Sequence, residues 1–256
     1  MKDIKYKEKI EFWENEEKAS FLGWDFSHID NRWEYEKNPF DYKKIVLSYL
    51  KPDYKLLDMG TGGGEFLLTL KHPYSNTYVT EGFLPNYNFC KTILAPLGIT
   101  VKYINEDDKI DYSDNFFNII INRHESFDIN EIYRVLKPGG IFITQQIGNL
   151  NDLDLSKKIN PNFKSLFNNN NLKYIKSKLE SNNFSVLKAD EKFTPIKFFD
   201  TGAFVYFAKI IEWEFPNFSV KNNLTQLIEI DEEINKNGYL QAKEHRFIIV
   251  ARINKF

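Results

Sequence analysis

The chain has 256 residues, with 27% charged and 42% hydrophobic positions, which is near the globular average and excludes wholesale disorder. Its 34 Lys and Arg against 36 Asp and Glu give a net charge of −2, so no global positive field exists to hold a phosphate backbone. A single cysteine, Cys90, excludes an intrachain disulfide framework and a Cys-based zinc cluster, and no apolar run approaches the ~20 residues that span a bilayer. The charged opening MKDIKYKEKIEFWENEEK is no signal peptide, so the reading is a reduced, soluble, cytoplasmic protein without a membrane partner. One figure stands out: aromatics are 16%, with 23 Phe, 14 Tyr and 4 Trp.

Residues 1–50 carry helical spacing over 5–19 and 41–50, and Pro52 stops the second helix because the residue before a proline disfavours the α region. Short apolar runs then alternate with helical stretches. Strands are expected at Lys55–Gly60, Thr77–Gly82, Thr100–Asn105, Phe116–Asn122 and Ile141–Gln145. Helices are expected at Gly64–Lys71, Asn86–Leu94 and Asn130–Leu136. This alternation means right-handed βαβ units on a parallel sheet. A helix near Leu172–Glu180 leads to a strand at Phe184–Lys188, and Arg246–Arg252 reads as the last strand. The residues between, about 191–241, are far more than a hairpin needs and predict an inserted subdomain with two helices, near Gly202–Ile211 and Leu224–Asn237. The resulting division is an aromatic N-terminal lid over 1–50 and a main domain over 51–256 that contains the insertion.

The strongest local signal is LLDMGTGGGEFLLTL, residues 56–70. An apolar strand runs into Gly60, Gly62, Gly63 and Gly64, and an amphipathic helix follows. Such a loop lets backbone approach a ligand, and the helix start offers unpaired N–H groups. The dinucleotide fingerprint would place a third glycine at position 65, which is Glu65. The pattern present is DxGxGxG: Asp58, Gly60, Gly62, Gly64, with Thr61 inside it. An acid below the loop suits a ligand carrying an ammonium and a sulfonium, as S-adenosylmethionine does. Glu81, followed by Gly82, ends the second strand about 20 residues on and fits the ribose hydroxyls. After the third strand, Glu106 or Asp107 fits the adenine amino group.

These residues resemble the class I (Rossmann-like) S-adenosylmethionine-dependent methyltransferases. YSDNFFNIIINRHESF is similar to the family's fourth strand and the loop after it, and EIYRVLKPGGIFIT to its helix, Pro-Gly-Gly turn and fifth strand. The resemblance covers roughly residues 40–190 and the last strand. It implies an α/β fold with a seven-stranded mixed sheet, order 3-2-1-4-5-7-6, strand 7 antiparallel, and helices on both faces. The insertion then falls between strands 6 and 7. It also implies that Asp58, Gly60, Thr61, Gly62 and Gly64 surround the methionine part of the cofactor, with Asn122 and Arg123 beneath it. The acid often found near the start of the family's fourth strand is Asn118 here.

Methyl transfer from a sulfonium is an in-line displacement with a neutral thioether leaving, so a base is needed only when the acceptor must lose a proton. His124 is the candidate base; its other reading is pocket lining. Glu125, beside it, and Gln145, closing the fifth strand, are candidates for the acceptor pocket. All four tryptophans lie outside residues 50–190, and the densest ring clusters are 20–40 and 197–218. Trp24, Trp33, Phe199 and Asp200 from these flanks are therefore expected in the acceptor pocket, although Asp200 also reads as a helix cap. No histidine or carboxylate spacing suggests a metal site. The leading expectation is methylation of a small-molecule acceptor. An RNA methyltransferase is the alternative, disfavoured by evenly spread lysines, and an NAD-dependent oxidoreductase is the remoter one.

Overall fold

Leu56 and Leu57 are neighbours in the first apolar run, and they enter different cores. Successive strand residues point to opposite faces, so an unbroken apolar strand must be covered on both. The computed structural model describes residues 2–21, 25–36, 39–104 and 109–255, the first four of them as backbone only. The chain divides into two compact units, one of residues 1–39, 149–168 and 192–245, the other of 40–148, 169–191 and 246–256.

The second unit is built on parallel strands β2 (Leu56–Met59), β3 (Thr77–Glu81), β4 (Thr100–Tyr103), β5 (Phe117–Arg123) and β6 (Leu136–Ile147). One face carries Leu56, Val79, Ile119, Ile121, Ile143, Ile248 and Val250. These pack with residues of α2 (Tyr42–Tyr49), α3 (Glu65–Thr69) and α4 (Leu84–Ile93). The other face carries Leu57, Met59, Ile120, Phe142, Phe247 and Ile249, packed with α5 (Ile129–Val135) and α7 (Leu172–Ser181). At the start of β5, Asn118 Oδ1 accepts from the Lys55 backbone N–H at 3.0 Å and from Lys137 Nζ at 3.1 Å. The Asn118 amide thus ties the start of β5 to the residue before β2 and to β6. The final strand, β8 (Leu240–Ile253), runs antiparallel to β6, with Ile141 opposite Arg252 and Ile147 opposite Arg246.

The first unit holds α1 (Lys2–Lys18), α6 (Leu153–Ile159), α8 (Thr201–Ile210) and α9 (Leu224–Asn237). The last two are the helices expected in the insertion. Its core is aromatic: Trp13, Phe198, Phe204, Tyr206 and Phe215 are buried, with Phe21, Phe26, Trp33, Trp213 and Phe218 packed against them.

Two expectations about the sheet are corrected. Among the described residues it has eight strands, not seven, in the order β1-β7-β8-β6-β5-β2-β3-β4, so the expected order changes with the count. The added strand is β1 (Trp33–Tyr35), antiparallel to the end of β7 (Phe184–Phe198), with Trp33 opposite Phe198. Three residues are too few to show a period-2 signal. β7 and β8 also run well past their expected ends, because exposed polar positions such as Lys188, Asp190 and Glu191 hide strand periodicity. Of the 1–50 flank, α2 falls in the second unit and residues 1–39 in the first, which also takes residues 149–168.

Candidate cofactor site

The site is assembled at the carboxyl ends of β2, β3 and β5, where open α/β sheets bind ligands. β2 delivers Asp58, 6% exposed, into the glycine loop. The loop is tied to β3 by two bonds to the Thr80 carbonyl, from Gly60 N at 3.0 Å and Thr61 N at 3.3 Å. Gly60 (φ +65°) and Gly64 (φ +82°) lie in the left-handed region that disfavours side chains. A Cβ at Gly64 would also meet Leu94 at 2.8 Å, so this glycine lets α3 start close against α4.

Glu81 ends β3 and is 5% exposed. Its Oε2 accepts from Gly62 N at 2.8 Å and its Oε1 from Phe83 N at 2.9 Å. A carboxylate has about four acceptor positions, so capacity remains for hydroxyl donors. Gly82 follows it closely under the Ile104 carbonyl, 3.1 Å from where a Cβ would stand. Asp58 Oδ2 accepts from Thr61 Oγ1 at 2.8 Å. Burial pushes the Asp58 carboxyl up to about 7, opposed by the Thr61 hydrogen bond and Arg123 and reinforced by Glu81. Arg123 stacks its guanidinium 4.7 Å from the Phe66 ring of α3.

Asn122 is fully buried at the end of β5. Its Oδ1 accepts from Gln146 Nε2 at 2.6 Å and from Thr144 Oγ1 at 3.0 Å. Gln146 Nε2 also donates to the Glu125 carbonyl at 2.9 Å, which fixes it as a donor and hence the Asn122 oxygen as an acceptor. The Asn122 Nδ2 donor then has no hydrogen-bond partner among the described residues. A buried amide nitrogen is costly in that state, and a bound ligand or water would relieve it.

After β5 the chain turns sharply. His124 takes φ +62°, its backbone N–H donating to the Gln145 carbonyl at 2.9 Å. Its Nε2 lies 3.5 Å from the Gln145 side-chain nitrogen, at the limit of a hydrogen bond. The imidazole pKa is pushed down to about 3 by desolvation first, then by Arg246 and Arg123. The His124 residue keeps solvent exposure. Glu125 comes back over the loop: its Cγ and Oε2 lie 2.6 Å from where a Gly60 Cβ would stand.

Residues 57–144 match the family model of a methyltransferase domain. This stretch runs from β2 to β6 and contains the glycine loop, Glu81 and Asn122. Among solved structures, a protein proposed as a methyltransferase from Bacillus halodurans C-125 is 16% identical, covering 83% of this chain and 98% of that one, with a TM-score of 0.56. YcgJ from Bacillus subtilis is 14% identical, covering 84% and 99%, with a TM-score of 0.54. The [4+2]-cyclase SpnF is also 14% identical, covering 82% and 80%, with a TM-score of 0.51. At such identities the likeness is one of fold, and the cyclase illustrates that a fold does not choose a reaction. No curated protein matches the chain.

The structure thus brings Asp58 to Thr61, Gly62 to Glu81, Gly60 to Glu125 and His124 to Gln145. Glu106, Asp107 and Trp24 lie outside the described residues. Trp33, Phe199 and Asp200 belong to the first unit. Trp33 packs on Phe26, Tyr35, Phe198 and Phe207. Asp200 caps α8 through Ala203 N at 2.9 Å and pairs bidentately with Arg32 at 2.7 and 2.8 Å, and Phe199 is exposed beside it. Three residues at the site escaped sequence reasoning: Tyr42, Phe66 and Cys90. Tyr42 donates its hydroxyl to the Asn122 carbonyl at 3.1 Å, and Cys90 donates to the Gly62 carbonyl at 3.0 Å. Gln146, the second of the two glutamines that close the strand, pairs with Asn122 Oδ1 and with the Glu125 backbone carbonyl. Among the described residues no group of His, Cys, Asp and Glu could hold a metal ion, and no helix is long and apolar enough to cross a membrane.

Proposed function

We propose that this chain binds S-adenosylmethionine at the glycine loop and transfers its methyl group to a small-molecule acceptor. The observation that carries the reading is Glu81, held between Gly62 N and Phe83 N at the carboxyl edge of the sheet with acceptor capacity to spare. Such a carboxylate suits the two ribose hydroxyls of a nucleoside. Asp58, Glu81 and Glu125 around the loop disfavour a pyrophosphate and favour a cationic ligand. The unpartnered Asn122 Nδ2 fits the same site.

When bound, the cofactor supplies an electrophilic methyl on a sulfonium. The chain's own work is to hold two reactants in line, and such positioning supplies up to ~7–11 kcal/mol of a barrier. In this reading Glu81 fixes the ribose, Asp58 faces the ammonium, Asn122 and Arg123 support the methionine part, and His124 and Gln145 line the acceptor side. His124, held neutral with a depressed pKa, lines the pocket better than it takes a proton. A small acceptor is supported by the −2 net charge, which gives no field for a polyanion.

Isothermal titration calorimetry tests the cofactor assignment. S-adenosylhomocysteine should bind and NAD should not, and Glu81→Ala should weaken binding about tenfold or more, the worth of one or two charge-assisted hydrogen bonds. Binding of NAD in place of S-adenosylhomocysteine would sink the assignment. Tritium transfer from labelled S-adenosylmethionine into RNase-resistant, low-mass products tests the acceptor class.

A further inference from the structure

Glu125 stands in an unexpected place for an acceptor-pocket residue. Its side chain fills the space that Gly60 leaves by lacking a Cβ, with Cβ, Cγ and Oε2 all within 2.7 Å of that point. The residue is held there from both sides. Its backbone carbonyl accepts from Gln146 Nε2 at 2.9 Å, and its Oε1 accepts from Ser126 N at 3.2 Å. The left-handed turn at His124 immediately precedes it. This carboxylate therefore rests on the first glycine of the loop, beside the methionine end of the cofactor in the reading above.

We infer that Glu125 distinguishes the methyl donor from its demethylated product by charge. S-adenosylmethionine carries an ammonium, a carboxylate and a sulfonium, for a net charge of +1. S-adenosylhomocysteine carries the first two and a neutral thioether, for a net charge of zero. Every other group the two molecules present is shared. A half-buried carboxylate beside the sulfonium attracts the donor, and that attraction vanishes once the methyl has left. The residue thus favours loading with donor and discharge of product. A half-buried carboxylate facing a unit positive charge supports discrimination on the order of tenfold. The inference rests on the cofactor assignment of the preceding subsection and adds to it a role for one residue in the donor–product preference.

Calorimetry on the full chain without acceptor provides the test, with three probes: S-adenosylmethionine, S-adenosylhomocysteine, and the analogue bearing a protonated amine in place of the sulfonium. The wild type should bind the two cationic probes about tenfold more tightly than the thioether. Glu125→Gln should bring the three within about threefold of one another, chiefly by weakening the cationic pair, while the thioether constant stays within about twofold. Retained thioether binding also reports that the variant is folded. Equal affinities in the wild type overturn the inference, as does a Glu125→Gln loss shared equally by all three probes, which would assign Glu125 to the common ammonium or to loop shape. Failure of all three to bind the wild type overturns the cofactor assignment itself, and this inference with it.

Discussion

Asp58 is the site residue whose charge is undecided near neutral pH. Its carboxyl stands at about 7, raised by burial from an ordinary value of 3.8. A cationic ligand favours the ionised form, so affinity for S-adenosylhomocysteine, whose ammonium persists over this range, should rise about five- to tenfold between pH 6 and pH 8. Asp58→Asn should flatten that rise, and calorimetry at the two pH values would show it; an equally steep rise in the variant would exclude Asp58 as its source. The sign for folding is opposite. Between about 4 and 7 the native state holds a proton that the unfolded chain has lost, so the Asp58 contribution to stability falls as pH rises through that window. His124 works the other way: with its folded pKa depressed, its contribution falls as pH drops below about 6.5. At this scale the glycine loop and Glu81 were legible because their spacing is local. Glu125 on Gly60 was not, since the turn that brings it back depends on a left-handed residue that is not glycine.

Among the elements, α8 shows how one carboxylate joins distant pieces of chain. Asp200 accepts from Ala203 N and holds Arg32, 168 residues earlier, through the Nε–Nη2 edge of its guanidinium. Arg32 in turn donates to buried Glu16 at 2.8 Å. Asp200→Ala should therefore cost about 1–3 kcal/mol, the sum of a lost cap and a weakened ion pair. Asp200→Asn, which retains a capping oxygen, should cost less. Thermal denaturation checks both, with S-adenosylhomocysteine affinity expected to stay unchanged. An unaltered melting temperature in Asp200→Ala would show that the network contributes nothing net. The helix and its cap were readable from FFDTGAF; the arginine partner was not, because nothing in local sequence specifies a contact across that separation. β1 was missed for a related reason: its stability comes from pairing with β7, not from its three residues.

For the whole molecule, the sheet of the second unit joins stability to ligand binding. Phe142 is fully buried on β6, with its ring 5.0 Å from Phe127. Phe142→Ala should cost about 3–5 kcal/mol through lost burial and the cavity left behind. Anything that binds only the folded state restores stability by mass action, about 2.7 kcal/mol at a hundredfold excess over Kd. S-adenosylhomocysteine at that excess should therefore recover a large part of the lost melting temperature, and NAD none. Equal recovery by both, or by neither, would contradict a nucleoside site on this sheet.

The sequence by itself determined the βαβ alternation, the glycine loop, the acid at the end of the second strand and the two helices of the insertion. Each of these is written in spacings of a few residues, where backbone geometry and side-chain period act directly. Tertiary structure alone decided that an eighth strand adds to the sheet edge, that α2 joins one unit while residues 149–168 join the other, and that Glu125 lies on Gly60. Those outcomes depend on contacts between segments far apart in the chain, whose favourable energy exists only after the elements have packed.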